Sequence, residues 1–166
     1  MSKKTAIVTG AAKRIGKAIA EALLANQYRI VAHYRNSKAE LDAWAAAYGS
    51  DVVLLGADLA DASDCRAFIQ DAIQTLGQVD LLVNNASTFA KSDAATVSTE
   101  DIQNTIMINS IAPFLLMQNL YQDCKSKGYN AHVINLTDTQ VEKDESPYFS
   151  YLMSKKLLSD ISRFTA

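Results

Sequence analysis

The chain of 166 residues has only two cysteines, Cys65 and Cys124, and neither lies in a Cys-x-x-Cys motif or beside a pair of histidines. That excludes the usual zinc and redox patterns and points to reduced thiols in a cytoplasmic protein. No apolar run is long enough to span a bilayer. The opening Met1-Ser2-Lys3-Lys4 passes directly into a strand-like run without the apolar core of a signal peptide. A formal net charge of −2 provides no positive field to hold nucleic acid or an anionic membrane. Internal repeats, low-complexity tracts and linker compositions are also missing. What remains is 49% apolar and 20% charged, the balance of a soluble globular protein, and the length of one domain.

Two patterns alternate along the chain. Short β-branched apolar runs occur at Ala6-Ile7-Val8, Tyr28 to Ala32, Val52 to Leu55, Val79 to Val83 and His132 to Leu136. Their composition predicts strands buried on both faces. Between them the apolar spacing becomes helical. Ile15, Ala18, Ile19, Ala22 and Leu23 form one stripe, Leu41, Trp44, Ala45 and Tyr48 a second, and Cys65, Phe68, Ile69, Ala72, Ile73 and Leu76 a third. A single long helix is expected from Thr99 to about Lys125. A last helix is expected to open near Ser146-Pro147, with a serine cap and proline in the first turn. Such alternation implies an α/β fold of right-handed βαβ units, with a parallel sheet covered on both faces.

After the first strand comes Thr9-Gly10-Ala11-Ala12-Lys13-Arg14-Ile15-Gly16. Gly10 permits a tight turn, Gly16 permits close packing of helix on sheet, and the helix N-terminus offers amides and a positive dipole end to a pyrophosphate. The general fingerprint has another glycine between these two, where this chain has Lys13 or Arg14. A second absence is as informative. An NAD site usually carries a carboxylate at the end of the second strand, but this strand ends in His33-Tyr34-Arg35-Asn36-Ser37. Arg14 and Arg35, with the amide of Asn36 and the hydroxyl of Ser37, suit a 2′-phosphate through charge-assisted bonds, so the expected cofactor is NADPH/NADP+. Asp58, in Gly56-Ala57-Asp58-Leu59, fits two roles: accepting from the adenine amino group, or capping the helix that begins near Asp61.

Tyr151-Leu152-Met153-Ser154-Lys155 sets a phenol and an ammonium four residues apart, on one face of a helix. A free tyrosine titrates near 10, too high for acid–base work near neutrality, and an adjacent lysine is expected to favour the phenolate. The pair suits reduction of a C=O or C=N bond, in which hydride reaches carbon and a proton reaches oxygen or nitrogen. A tyrosine and lysine at this spacing are common on surfaces. Their place after the fifth strand, at the carboxyl end of a nucleotide-binding sheet, is what raises them above coincidence.

Together these parts resemble the short-chain dehydrogenase/reductase family. They run in its order: the Thr9 to Gly16 turn, Asp58, Asn84-Asn85-Ala86, Asn109, then Tyr151 and Lys155. The resemblance implies a Rossmann-type doubly wound parallel sheet of at least five strands in the order 3-2-1-4-5. Finer features are similar to the pteridine reductase and dihydromonapterin reductase branch. These are the turn itself, His33-Tyr34, the run Asn84-Asn85-Ala86-Ser87-Thr88-Phe89, and Asp138 where the wider family has serine. The resemblance implies that Asp138, Tyr151, Lys155 and Asn109 are catalytic, with Asn109 supporting the lysine through water. The cofactor would lie against Gly10, Arg14, Ile15, Tyr34, Arg35, Asn36, Ser37, Asp58, Leu59, Asn85, Ala86, Ser87 and Thr137, together with Tyr151 and Lys155. The substrate, a pterin or a folate, would lie against Ser87, Phe89, Asp138 and Tyr151. Phe89 would stack on the flat ring, and Asp138 would hold or relay a proton toward a ring nitrogen. No metal is expected, and the family's habit of assembling through its long helices implies a homo-oligomer, a tetramer or dimer.

The family normally continues past the last helix with two further strands and a substrate-covering loop. This chain is therefore expected to be a shortened form, with its fifth strand as an exposed sheet edge. Two other readings stay open: a reductase of another carbonyl compound, such as an acyl thioester or a sugar, and a truncated, inactive nucleotide-binding scaffold.

Overall fold

In the computed structural model, residues 3–36, 38–141 and 147–165 are described. Five parallel strands form one sheet in the order β3-β2-β1-β4-β5, as expected. They are β1 (Thr5–Val8), β2 (Arg29–Tyr34), β3 (Val52–Gly56), β4 (Leu81–Asn84) and β5 (His132–Asn135). β1 sits at the centre, with Ile7 facing Val31 of β2 and Leu82 of β4. Side chains alternate across the pleat. Ile7, Val31 and Leu82 pack with α3 (Ala62–Leu76) and α5 (Ala112–Lys127). Ala6, Val8, Ile30, Ala32 and Val83 pack on the opposite face with α1 (Arg14–Ala25) and α2 (Lys38–Ala46). Burial from both sides explains why these strands read as continuous apolar runs.

The boundaries correct several expectations. β2 continues through His33 and Tyr34, which pair with Leu55 and Gly56 of β3. β4 opens only at Leu81, and side chains add to the ties between the residues before it and Thr5. Asp80 Oδ2 accepts the Thr5 amide at 2.8 Å, and the Thr5 hydroxyl donates to Gln78 O at 2.6 Å. β5 is not buried on both faces. It is one edge of the sheet, the exposed edge expected of the fifth strand, with Val133 40% and Ile134 50% exposed.

The expected long helix is broken into α4 (Thr99–Ile106), a π-helical turn (Met107–Ile111) and α5. The last helix, α6 (Phe149–Phe164), opens later than Ser146-Pro147. Ser146 lies outside the described residues. Pro147 belongs to the approach, and the backbone there bonds to Ser92: the Ser92 amide donates to Pro147 O at 2.9 Å and the Phe149 amide to Ser92 O at 3.1 Å.

Candidate active site

The strand order reverses direction between β1 and β4, where parallel sheets of this kind form a crevice at their carboxyl ends. Thr9 closes the floor of that crevice. Its amide donates to Val83 O at 3.0 Å, and its hydroxyl donates to the same carbonyl while accepting the amides of Asn85 and Ala86 at 2.9 and 3.0 Å. That uses the full capacity of a hydroxyl. The Asn85 amide group reaches back to Thr9 O and Gly10 O. The two glycines are required by contact. A Cβ on Gly16 would fall 2.2 Å from Gly10 O. Gly10 has φ +65°, and a Cβ there would fall 3.0 Å from Ala86 Cα.

The residue standing where the fingerprint has its middle glycine is Arg14, and it takes φ +52°, the left-handed conformation that glycine enters freely. The chain accepts backbone strain there and gains a guanidinium at the mouth of the turn. The first turn of α1 has no acidic residue and no side-chain cap, so its amides and dipole are offered to an anion. β1 and β2 lie side by side, which puts the exposed Arg14, Arg35 and Asn36 at the same end of the sheet. Ser37 lies outside the described residues. These groups suit the phosphates of a dinucleotide.

His33 is buried and bonded at both ring nitrogens. The Gly10 amide donates to Nδ1 at 3.0 Å, and Nε2 lies 3.1 Å from Ala57 O. Tyr34 lies over Gly56, where a Cβ would meet its ring at 3.0 Å. Asp58 does not cap the following helix. Its Oδ1 accepts the Ala60 amide at 3.0 Å, while Asp61 caps α3 by accepting from Ser63 and Asp64. Asp58 is partly exposed and leads into the buried Leu59.

On the other side of the crevice, α6 presents Tyr151 and Lys155, 8% and 3% exposed, while Lys156 points to solvent. The Tyr151 hydroxyl donates to Asp138 Oδ2 at 2.9 Å, and Asp138 Oδ1 accepts the Gln140 amide at 2.8 Å. Asp138 is thus a partner of the phenol, not a helix cap. Lys155 Nζ donates to Leu136 O at 2.7 Å and lies 5.9 Å from the centre of the Tyr151 ring. Burial, the hydrogen bond to Asp138 and that carboxylate's charge all push the phenol above its ordinary pKa. The lowering expected from lysine is thus outweighed at the phenol, although the ammonium lies over its ring. The ammonium is spent on a carbonyl, and the phenol's hydrogen-bond partner is an anion. Burial lowers Lys155 to about 8, with Asp138 pulling the other way.

Asn109 lies in the π-helical turn. Its Oδ1 accepts the Thr88 amide at 2.8 Å, and its Nδ2 donates to Thr88 O at 3.0 Å and to Ser154 Oγ at 2.9 Å. Ser110, its immediate neighbour, donates to Ser154 O at 2.7 Å. Consecutive residues of a regular α-helix do not face one partner. The widened turn lets both reach α6, a common use of such turns at functional sites. Asn109 thus touches the lysine's helix and the loop after β4, and does not touch Lys155 itself.

That loop carries Ser87 and Phe89. Phe89 is 59% exposed, so it is not a core residue. It stacks on Tyr148 with centroids 4.3 Å apart and meets Tyr151 edge-on at 4.6 Å. Ser87 and Thr137 are exposed at the rim. Ser92 ties the loop to α6. Its hydroxyl accepts the Ser150 amide at 3.0 Å and lies 2.9 Å from Ser150 Oγ, which makes it the N-terminal cap of α6 supplied from elsewhere in the chain. Sequence reasoning did not single out Thr9, Ser92, Tyr148 or Ser154. Each is a common residue type whose role comes from a partner distant in sequence, and only Thr9, the first residue of the Gly-rich turn, carried a local signal.

A parallel nucleotide-binding sheet with a buried tyrosine and lysine on the helix after its fifth strand defines a Rossmann-type dehydrogenase architecture. The model of the short chain dehydrogenase family matches residues 4–166, and the chain belongs to that family, whose members bind NAD or NADP. It is 32% identical to an uncharacterized oxidoreductase of Methylorubrum extorquens over 81% of this chain and 54% of that protein. It is 27% identical to pteridine reductase 1 of Leishmania tarentolae over 97% of this chain and 70% of that one. It is 31% identical to a fatty acyl-CoA reductase of Mycobacterium tuberculosis over 98% and 57%. A solved short-chain dehydrogenase from Streptomyces avermitilis superposes with a TM-score of 0.92 at 25% identity, covering 99% of this chain and 60% of that one. The chain thus spans between about half and 70% of the length of these relatives.

Proposed function

We propose that this chain belongs to an NADPH-dependent reductase of pterins or dihydrofolate. The observation that carries the reading is the Tyr151 hydroxyl held against Asp138 beneath an exposed Phe89 at the crevice mouth. When bound, NADPH supplies the hydride. Arg14, Arg35 and the first turn of α1 hold its phosphates, and the absence of a carboxylate after β2 favours the 2′-phosphorylated form. Phe89, braced by Tyr148, offers an aromatic face to a flat heterocycle. Tyr151 is kept protonated and donates its proton to the nitrogen or oxygen of the reduced double bond. Lys155, its charge lying over the phenol ring, offsets the negative charge left there. Asp138 aims the hydroxyl and attracts the basic edge of a pterin. A cytoplasmic homo-oligomer joined through α4 and α5 completes the reading.

The test is NADPH oxidation with dihydrobiopterin, dihydromonapterin and dihydrofolate, set beside an acetoacetyl thioester. The reading expects turnover with at least one pterin or folate and little with the thioester. Preference for the thioester would favour a ketoacyl-type reductase. NADPH binding without turnover on any of them would favour a nucleotide-binding scaffold.

A further inference from the structure

The proton-transfer scheme gives no part to His33, yet it is among the most completely used side chains near the crevice. It is 3% exposed, and its ring meets Phe68 edge-on at 5.0 Å. The Gly10 amide can only donate, so Nδ1 must be the unprotonated nitrogen. The neutral ring then carries its proton on Nε2 and donates it to Ala57 O, 3.1 Å away. The His33 carbonyl also accepts the Ala11 amide at 2.9 Å. One residue thus grips two successive amides of the phosphate turn and, through its ring, the segment that leads into Asp58.

We infer that His33 is a positioning residue for the dinucleotide, a neutral imidazole that fixes the pyrophosphate turn relative to the adenine-side loop before the cofactor arrives. The inference rests on the dinucleotide reading of the crevice and adds to it the group that preorganises its two ends. Burial holds the ring neutral, well below an ordinary histidine, at about 4, although the Ala57 carbonyl and the Asp58 carboxylate pull the other way. Asp58 is the charged side chain that bears on it, and Phe68 from α3 closes the apolar side. Because His33 grips the turn's backbone and not the 2′-phosphate, its loss affects both cofactors alike. That separates its role from that of Arg14.

The test measures NADPH and NADH affinity by fluorescence titration on wild type, His33→Phe and His33→Asn, with the imidazole nitrogens of the wild type followed by 15N NMR. Phenylalanine keeps the ring and loses both bonds, and is expected to weaken both cofactors by a similar factor, about tenfold. Asparagine places an oxygen near Nδ1 and is expected to recover most of that loss. The NMR signature is a proton on Nε2 and a bare Nδ1 from pH 8 down to about 5. A folded His33→Phe protein with unchanged affinities would overturn the inference, as would a proton on Nδ1 or a charged ring at pH 6. If His33→Phe does not fold, His33→Ala takes its place: a similar, roughly tenfold weakening of both cofactors supports the role, and unchanged affinities in folded protein overturn it. Wild-type protein that binds neither dinucleotide would instead bring down the reading of the crevice itself, and this inference with it.

Discussion

The two sides of the crevice are built differently. On the β1–β2 side, Ala6, Val8, Ile30 and Ala32 are fully buried, and the phosphate turn is locked by backbone approaches that only glycines permit. On the β4–β5 side, Tyr151 and Lys155 are nearly as buried, but discrete bonds from several separate segments hold them. These are Ser92 to the start of α6, Asn109 and Ser110 to Ser154, Asp138 to the phenol, and Leu136 O to the ammonium. Beyond them the sheet ends in β5, whose Val133 faces a groove of about 1190 Å³ lined by Phe114, Met117 and Tyr121 among others. The cofactor side is thus fixed by shape, which fails all at once. The proton-transfer side is fixed by links that single substitutions can cut one at a time.

The largest expected effect tests the first half of that contrast. Gly16→Ala forces a Cβ to 2.2 Å from Gly10 O, backbone that cannot swing aside. We expect dinucleotide affinity to fall more than about a hundredfold and stability to drop by on the order of 2 kcal/mol, read by titration and thermal unfolding. Wild-type affinity in that variant would mean the turn is adaptable. Ser92→Ala, on the other side, should leave NADPH affinity within about twofold while slowing turnover roughly tenfold, and should cost about 1 kcal/mol as a lost cap. If it weakened cofactor binding and turnover together, the two sides would not be separable.

Arg14→Gly should split stability from specificity. Removing the side chain from a φ of +52° should stabilise the fold by about 1 kcal/mol, while NADPH affinity falls about tenfold relative to NADH. Equal losses for the two cofactors would remove the 2′-phosphate from Arg14. The smallest effect is that of pH on the folded state. Lys155, lowered to about 8 from an ordinary 10.5, holds fewer protons folded than unfolded between those values, so its contribution to stability rises with pH in that window. Tyr151, raised above its ordinary value of 10, acts oppositely and erodes stability above about pH 10. Lys155→Met should abolish the gain between pH 8 and 10, seen by chemical denaturation across that range. A wild-type slope retained in that variant would assign it to another group.

The inner strands were legible because burial on both faces leaves an apolar run with little else in it, as at Ile30 to Ala32, while the strand order came with the family resemblance. The cofactor turn was legible because glycine constraints are local. The α4–α5 break was not. Met107–Ile111 contains neither glycine nor proline, and what widens the turn is the convergence of Asn109 and Ser110 on Ser154, more than forty residues away. The start of α6 was misread for the same reason, since its cap, Ser92, lies 58 residues before the helix turn it bonds. Asp58 looked like a cap because it precedes α3, but Asp61 sits closer and takes both amides.

Turnover and NADPH affinity measured side by side on Tyr151→Phe bear most directly on the central claim. The substitution removes one oxygen and leaves the ring against Phe89 and beneath Lys155. The account predicts a loss of turnover of about a thousandfold with NADPH affinity nearly unchanged. Reduction at close to the wild-type rate would contradict it, because the proton would then come from another group.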